Sequence, residues 1–384
     1  MTAYEFDIKD YEAIPEIFPA EGYEFDGVEA FYFANEKYQG KDTRVFTYMG
    51  LPELKEGEKC PAMVLLHGGG GTTYREWIQL WNSRGYAAIM IDQCGCKPLV
   101  TTSLDIGPHE KHEHAGPDGW DSSFKQMDEP VEDHWPFHAV TAALRAHTIL
   151  ASHDQIDETR IGVTGISWGG YLTSLMMGID SRYKAAIPIY GCGFLTDNST
   201  WNDNGFSKVG EEAIQKWSDK WDPRHYIPNA KMPTLWVNST NDFAYPMDSF
   251  QKSFLSAGGP VYRSIQIELP HGHIQGWRPN EMHNFTDSLF NDAPAFPVFK
   301  SVKIEDKQIV AVFESEQTIE SANICYTRAT GMWQDRKYNI LVAEIENEGS
   351  TYTFSADIPL NTTVAFINIK NEDGLTFSSD YIEL

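Results

Sequence analysis

Residues 160–170 read Arg160-Ile161-Gly162-Val163-Thr164-Gly165-Ile166-Ser167-Trp168-Gly169-Gly170. They restrict the fold more than any other stretch. A β-branched run from Ile161 to Thr164 predicts a strand, and Tyr171 to Met177 predicts a buried helix directly after it. Between them, glycines flank a serine in the pattern G-x-S-x-G, with a third glycine at 170. A strand can enter a helix this abruptly only where the turn carries almost no side chains. Such a turn lifts the serine hydroxyl clear of the sheet, and the following helix N-terminus favours negative charge developing beside it. The competing account is an ordinary glycine-rich turn whose serine only caps the helix.

The flanking chain has the organisation that such a turn needs. Ala62 to Leu66 and Tyr86 to Ile91 are continuous apolar runs, as in strands buried on both faces of a parallel sheet, with a helical pattern from Tyr74 to Arg84 between them. Edge strands are expected before them, at Val28–Phe33 and Thr43–Tyr48. Pro136 to Ser152 is helical, and further strands are expected at Lys184–Tyr190, Pro233–Asn238 and Ser264–Leu269. Helices are expected at Ser249–Ala257 and Glu281–Phe290. This alternation predicts a mostly parallel α/β sheet with helices on both faces. Two stretches break it, near 94–135 and 194–229, and read as cap-like excursions that wall a site; they carry Trp120, Phe124, Trp201, Trp217 and Trp221. Past Ala293-Pro294-Ala295-Phe296-Pro297 only period-2 stretches remain, which predicts a small β-sandwich. The chain therefore divides into residues 1–294 and 295–384.

The 384 residues carry 55 Asp and Glu against 30 Lys and Arg, a formal net charge of −25. Such a surface repels phosphate backbones and anionic lipid, so neither nucleic acid nor membrane is an expected partner. No apolar run approaches a membrane span, and the acidic start Met1-Thr2-Ala3-Tyr4-Glu5 lacks the layout of a signal peptide. Cys60, Cys94, Cys96, Cys192 and Cys325 are odd in number and scattered, as expected of reduced thiols in a cytoplasmic protein. His109, His112 and His114 fit no helix face and no standard zinc spacing, so they read as loop polarity and no metal is expected.

A serine nucleophile needs a base, and the base needs an orienting acid. In sheets of this type they follow in the order serine, acid, histidine, each past the C-terminal end of a strand. Asp242, after the strand ending at Asn238, is the expected acid; its rival Asp248 begins a helix, where capping explains it. Pro270-His271-Gly272-His273 follows the last strand. His273, farther out on a loop freed by Gly272, is the preferred base, and His271 is the alternative that would otherwise orient the loop. The oxyanion donors are expected to be the amide of Trp168 and those of Gly69 and Gly70, from the loop His67-Gly68-Gly69-Gly70-Gly71. A phosphate-binding loop is the competing idea for these glycines, but no Gly-Lys-Ser/Thr follows.

Together the Gly68–Gly71 loop, Gly165–Gly170, Thr240-Asn241-Asp242-Phe243-Ala244-Tyr245-Pro246 and Pro270–His273 resemble the α/β-hydrolase superfamily. Within it the chain is similar to the branch of acetylxylan esterases, dienelactone hydrolases and prolyl-oligopeptidase-type hydrolases, over roughly residues 40 to 290. The resemblance implies a cofactor-free serine hydrolase forming an acyl-enzyme, with Ser167, Asp242 and His273 as its triad. It implies a small-molecule or oligosaccharide ester as substrate, acetylated carbohydrate foremost, and leaves a homo-oligomer open. The carboxy-terminal sandwich departs from plain acetylxylan esterases. A peptidase of the prolyl-oligopeptidase kind is the alternative, disfavoured because no large gating domain precedes the hydrolase here. A non-catalytic binding protein on the same fold is the third reading, opposed by the intact order of serine, acid and histidine.

Overall fold

A computed structural model describes residues 3–23, 25–98 and 109–384. Part of the first excursion, at 99–108, lies outside the described residues. The main sheet has nine strands: β1 (Ile17–Pro19), β2 (Glu29–Tyr38), β3 (Lys41–Gly50), β4 (Cys60–Leu66), β5 (Ala87–Ile91), β6 (Ile156–Ile166), β7 (Ala185–Ile189), β8 (Thr234–Ser239) and β9 (Val261–Gln266). Their spatial order is β1-β2-β3-β5-β4-β6-β7-β8-β9. The pairs from β1 to β5 across β2 and β3 are antiparallel, and every pair from β5 to β9 is parallel.

The helices are α1 (Arg75–Asn82), α2 (Trp135–Ala151), α3 (Trp168–Ile179), α4 (Trp201–Asn204), α5 (Glu211–Trp221), α6 (Met247–Ser256), α7 (His273–Gly276) and α8 (Glu281–Phe290). β4, β5 and β7 are buried along their whole length, as their apolar runs require. The order 5-4-6-7 puts β4 directly beside β6, so the loops leaving both strands open at one edge of the sheet. In such sheets ligands bind where neighbouring strands end.

The expected strands and helices are present, several with longer bounds: β2 runs on to Tyr38 and β6 begins at Ile156, while β1 and α5, the latter inside the second excursion, were not expected. β9 ends at Gln266, three residues before the expected Leu269. Glu268 adopts φ +53°, which takes the chain out of the ladder and lengthens the loop that carries both histidines.

Past α8 the chain forms β10 (Val298–Glu305), β11 (Gln308–Glu314), β12 (Ile319–Thr327), β13 (Asn339–Glu348), β14 (Thr351–Asp357), β15 (Val364–Asn371), β16 (Thr376–Ser378) and β17 (Ile382–Glu383). All of their pairings are antiparallel. The two layers of the expected sandwich are joined into one bent sheet. β13 pairs with β12 through residues 339–343 and with β14 through 344–348. This sheet docks on β9: Ser378 Oγ accepts the Ile265 amide at 2.7 Å, Asn368 Nδ2 donates to the Ile265 carbonyl at 3.0 Å, and Glu281 Oε1 accepts from Gln266 Nε2 at 3.0 Å and Thr376 N at 2.8 Å.

Candidate active site

Ser167 stands between β6 and α3 with φ +59° and ψ −118°. That conformation is strained for a residue with a Cβ. It is held by its amide, which donates to the Ile189 carbonyl at 2.9 Å, and by its carbonyl, which accepts from Tyr171 N at 2.8 Å. The flanking glycines are required by close passage of backbone. A Cβ on Gly165 would lie 2.2 Å from the Gly169 carbonyl oxygen, and one on Gly169 would lie 2.0 Å from that of Leu66. The turn is therefore a built strand-to-helix elbow.

Asp242 lies in the turn after β8 and is buried. Its Oδ1 accepts the amides of Ala244 at 2.9 Å and Tyr245 at 2.7 Å, which leaves Oδ2 free to face His271 Nδ1 at 2.6 Å. The rival Asp248 takes both of its hydrogen bonds from Asn198 Nδ2, at 2.9 and 3.1 Å, and ties α6 to the second excursion.

The preference for His273 over His271 is corrected. His271 Nε2 lies 2.9 Å from Ser167 Oγ, so Ser167, His271 and Asp242 form one hydrogen-bonded chain. His271 is flanked by the rings of Tyr190 at 4.7 Å and Phe243 at 4.9 Å, and Phe243 is 55% exposed. His273 belongs to a different part of the site. It opens α7 and is buried, with its Nε2 accepting the Gly68 amide at 2.9 Å and its ring 4.9 Å from that of Tyr74. α7 begins at His273, so its ring leaves the chain from a helical turn and that of His271 from the loop before it, and the two meet different partners, Ser167 for His271 and Gly68 for His273. Burial and the neighbouring imidazoles of His67 and His271 hold His273 down to about 3, so it stays neutral where a base must alternate between its two states.

The glycine loop leaves β4 as a tight turn. Gly71 N donates to the Gly68 carbonyl at 3.2 Å, and Gly70 at φ +71° takes the position that a type II turn reserves for glycine. Gly69 and Gly70 are its central residues. Trp168 is the first residue of α3, so its amide has no carbonyl one turn back within the helix. Its indole packs on Trp201 at 4.6 Å, Trp135 at 5.5 Å and Trp120 at 6.4 Å. Both excursions thus reach the serine through one aromatic wall. Trp217 and Trp221 are core instead, donating to Ser123 Oγ at 3.2 Å and His134 Nδ1 at 3.0 Å.

Among the described residues, three side chains with metal-binding atoms converge: His67, Asp92 and Cys94, within 4.8 Å of one another. Their lone pairs are already engaged. His67 Nε2 accepts from Gln93 N at 3.0 Å; Asp92 accepts from Cys94 N at 2.9 Å, Cys96 N at 2.8 Å and Thr72 Oγ1 at 2.8 Å. The trio pins the glycine loop to the loop after β5. The sequence reading missed it because Asp92 and Gln93 show no motif. His112, from the histidine-rich stretch, is buried with its ring 5.1 Å from that of Tyr32.

The sheet, elbow and hydrogen-bonded serine, histidine and aspartate define an α/β-hydrolase. The match goes further at the level of family: the acetyl xylan esterase (AXE1) family model matches residues 7–235, more than half of the chain, and the chain belongs to that family. The fold is similar to that of an acetyl xylan esterase from Paenibacillus sp. R4, with TM-score 0.58 and 18% identity, covering 74% of this chain and 92% of that one. It is also similar to acetyl xylan esterase 1 from Thermoanaerobacterium sp. JW/SL YS485, with TM-score 0.56 and 14% identity, covering 76% and 96%. An acylaminoacyl peptidase of Pyrococcus horikoshii aligns with TM-score 0.52 and 23% identity over 70% of this chain and 43% of its own. A curated relative, the uncharacterized peptidase YuxL of Bacillus subtilis (strain 168), is 24% identical over 222 residues, 53% of this chain but only 29% of YuxL. No helix among the described residues is long and apolar enough to cross a membrane.

Proposed function

We propose that this protein is a serine hydrolase of carboxylic esters, acting through an acyl-enzyme on short acyl esters, acetylated carbohydrate foremost. The observation that carries the reading is the unbroken chain from Ser167 Oγ through His271 to Asp242. In this reading Ser167 Oγ attacks the ester carbonyl while His271 Nε2 takes its proton. Asp242 keeps the other ring proton on Nδ1 and stabilises the imidazolium. The amides of Trp168 and Gly69 receive the oxyanion. His271 then returns the proton to the departing alcohol, and water repeats the sequence to release the acid. Every step uses groups of this chain and needs no cofactor. The net charge of −25 favours a neutral substrate over a polyanion. The aromatic wall at Trp168 suits a small acyl group.

A peptidase is the second reading, favoured by the similarity to YuxL, since the same three residues can cleave amides. The test is turnover of p-nitrophenyl acetate and acetylated xylan against Gly-Pro-p-nitroanilide. Ester turnover that falls about 10⁵-fold or more in Ser167→Ala is expected. Turnover of the anilide alone replaces the esterase reading with the peptidase one, and no turnover with no fluorophosphonate labelling of Ser167 removes both.

A further inference from the structure

His273 lies against the serine's loop, is almost fully buried, and has no part in proton transfer. Its ring is tied to a residue 205 positions away in sequence: the Gly68 amide donates to Nε2 at 2.9 Å. We infer that His273 is a positioning residue for the oxyanion loop, fixing Gly68 so that the next amide, that of Gly69, is presented beside Ser167. The inference rests on the esterase reading and deepens it.

Three observations support it. First, Gly68 is clamped between the two machines. A Cβ there would lie 2.9 Å from the Ile166 carbonyl oxygen and 3.0 Å from Ser167 Cβ on one side, and 3.1 Å from His273 Nε2 on the other. Any shift of His273 is therefore passed directly to the backbone that touches the nucleophile. Second, both polar groups of Gly68 are used. The carbonyl accepts from Gly71 N at 3.2 Å and faces His67 Nδ1 at 3.0 Å, so His273 holds the peptide plane on one side of Gly68 and these two groups hold the plane on the other, the one that carries the Gly69 amide. Third, His273 is itself held. Tyr74 and Gly71 close on it, and a Cβ at Gly71 would come within 2.7 Å of both His273 Nε2 and Tyr74 Oη. An oxyanion donor works only when its direction is set before the charge develops, and an imidazole acceptor behind the loop sets it.

For Nε2 to accept, the ring must be neutral with its proton on Nδ1. Burial keeps it so: His273 is 8% exposed and held down to about 3. The titratable groups that face it are His67, His109, His271 and the Tyr74 phenol, none of which is a carboxylate that would draw a proton onto the ring.

The test compares His273→Met, which keeps the volume and loses the acceptor, with His273→Gln, whose amide oxygen can reach the same N–H. With p-nitrophenyl acetate, kcat of the Met variant is expected to fall about 10²-fold, the size of one oxyanion donor lost, with KM within about 3-fold. The rate of fluorophosphonate inactivation should fall in parallel, because the phosphonyl oxygen occupies the same hole. The Gln variant is expected to recover most of the loss. Unchanged kcat in His273→Met, or a loss confined to KM, overturns the proposal. Should the Met variant fail to fold, ¹⁵N NMR of the histidine rings in the wild-type chain decides: a neutral Nδ1–H tautomer at His273 supports the proposal and an Nε2–H tautomer overturns it. A wild type inert to the ester sinks the esterase reading itself, whereas an active wild type with an undisturbed Met variant sinks only the positioning role.

Discussion

At the scale of single residues, the two histidines of Pro270–His273 divide one task. His271 has an acidic partner and a hydroxyl to serve, and His273 has an amide to hold. Their substitutions should separate accordingly. His271→Ala removes the base and should lower kcat for p-nitrophenyl acetate by about 10⁵-fold or more. Asp242→Asn keeps the shape but lets the wrong ring nitrogen carry the proton, and about 10⁴-fold is expected in kcat. Steady-state kinetics checks both, with circular dichroism to establish that each variant folds. If His271→Ala retains more than a tenth of wild-type kcat, the assignment of the base is wrong. Sequence alone offered both histidines past the right strand. What it could not supply was the side of the chain each would take, because that depended on where β9 stops. β9 stops at Gln266, three residues before the expected end, and the preference for His273, made for its distance from the strand and the freedom of Gly272, fell two residues past the histidine that meets Ser167.

At the scale of elements, the elbow was legible because it is local. Its strand, its glycines and its helix lie within the 24 residues from Ile156 to Ile179, and the packing of Gly165 and Gly169 on neighbouring carbonyls states the same requirement in space. Gly169→Ala should therefore destabilise the chain by about 3 kcal/mol or more through overpacking against the Leu66 carbonyl, seen as a lower urea midpoint or as insoluble expression. A Gly169→Ala chain with wild-type stability would show that β4 can move away. Less legible was the support behind the glycine loop, since its parts are far apart in sequence. Asp92 gathers two amides and a hydroxyl from two loops, and no pattern in Asp92-Gln93-Cys94-Gly95-Cys96 signals that. Asp92→Ala leaves buried donors without acceptors and is expected to cost about 3 kcal/mol, at roughly 1 kcal/mol or more for each unsatisfied group. A chemical-denaturation midpoint equal to wild type would contradict the pinning role. The joined carboxy-terminal sheet was hidden for a similar reason. Alternation along 338–344 marks a strand, but nothing in it shows that β13 changes partner halfway along.

At the scale of the whole molecule, the site sits in a core unusually rich in neutral imidazole. Burial holds His67, His273 and His283 down to about 3 and His112 and His138 down to about 4, against an ordinary value near 6.5. Each of these groups is protonated in the unfolded chain below about pH 6.5 and stays neutral in the fold until far lower pH. The unfolded state therefore binds more protons through this window, and stability is lost as pH falls from about 6.5. Each histidine removes about 1.4 kcal/mol per pH unit. Burial raises Asp92 and Glu281, which acts in the opposite sense, but these are two carboxyls against seven imidazoles, since burial lowers His134 and His147 as well, and the carboxyls begin from the ordinary carboxyl range. A domain of ordinary stability, about 5–15 kcal/mol, should lose its cooperative fold near pH 5. His283 isolates the effect. It lies on α8 with its ring 4.4 Å from that of Trp81, far from the triad in its contacts, and neither ring nitrogen has a hydrogen-bond partner among the described residues. His283→Phe removes one proton-binding group from the unfolded chain and leaves the others in place. Urea midpoints taken from pH 7.5 to 5.5 should fall for both proteins, with the loss of unfolding free energy smaller in the variant by about 1.4 kcal/mol over that whole range, or about 0.7 kcal/mol per pH unit. Parallel slopes would mean that His283 takes up its proton in the fold as readily as outside it.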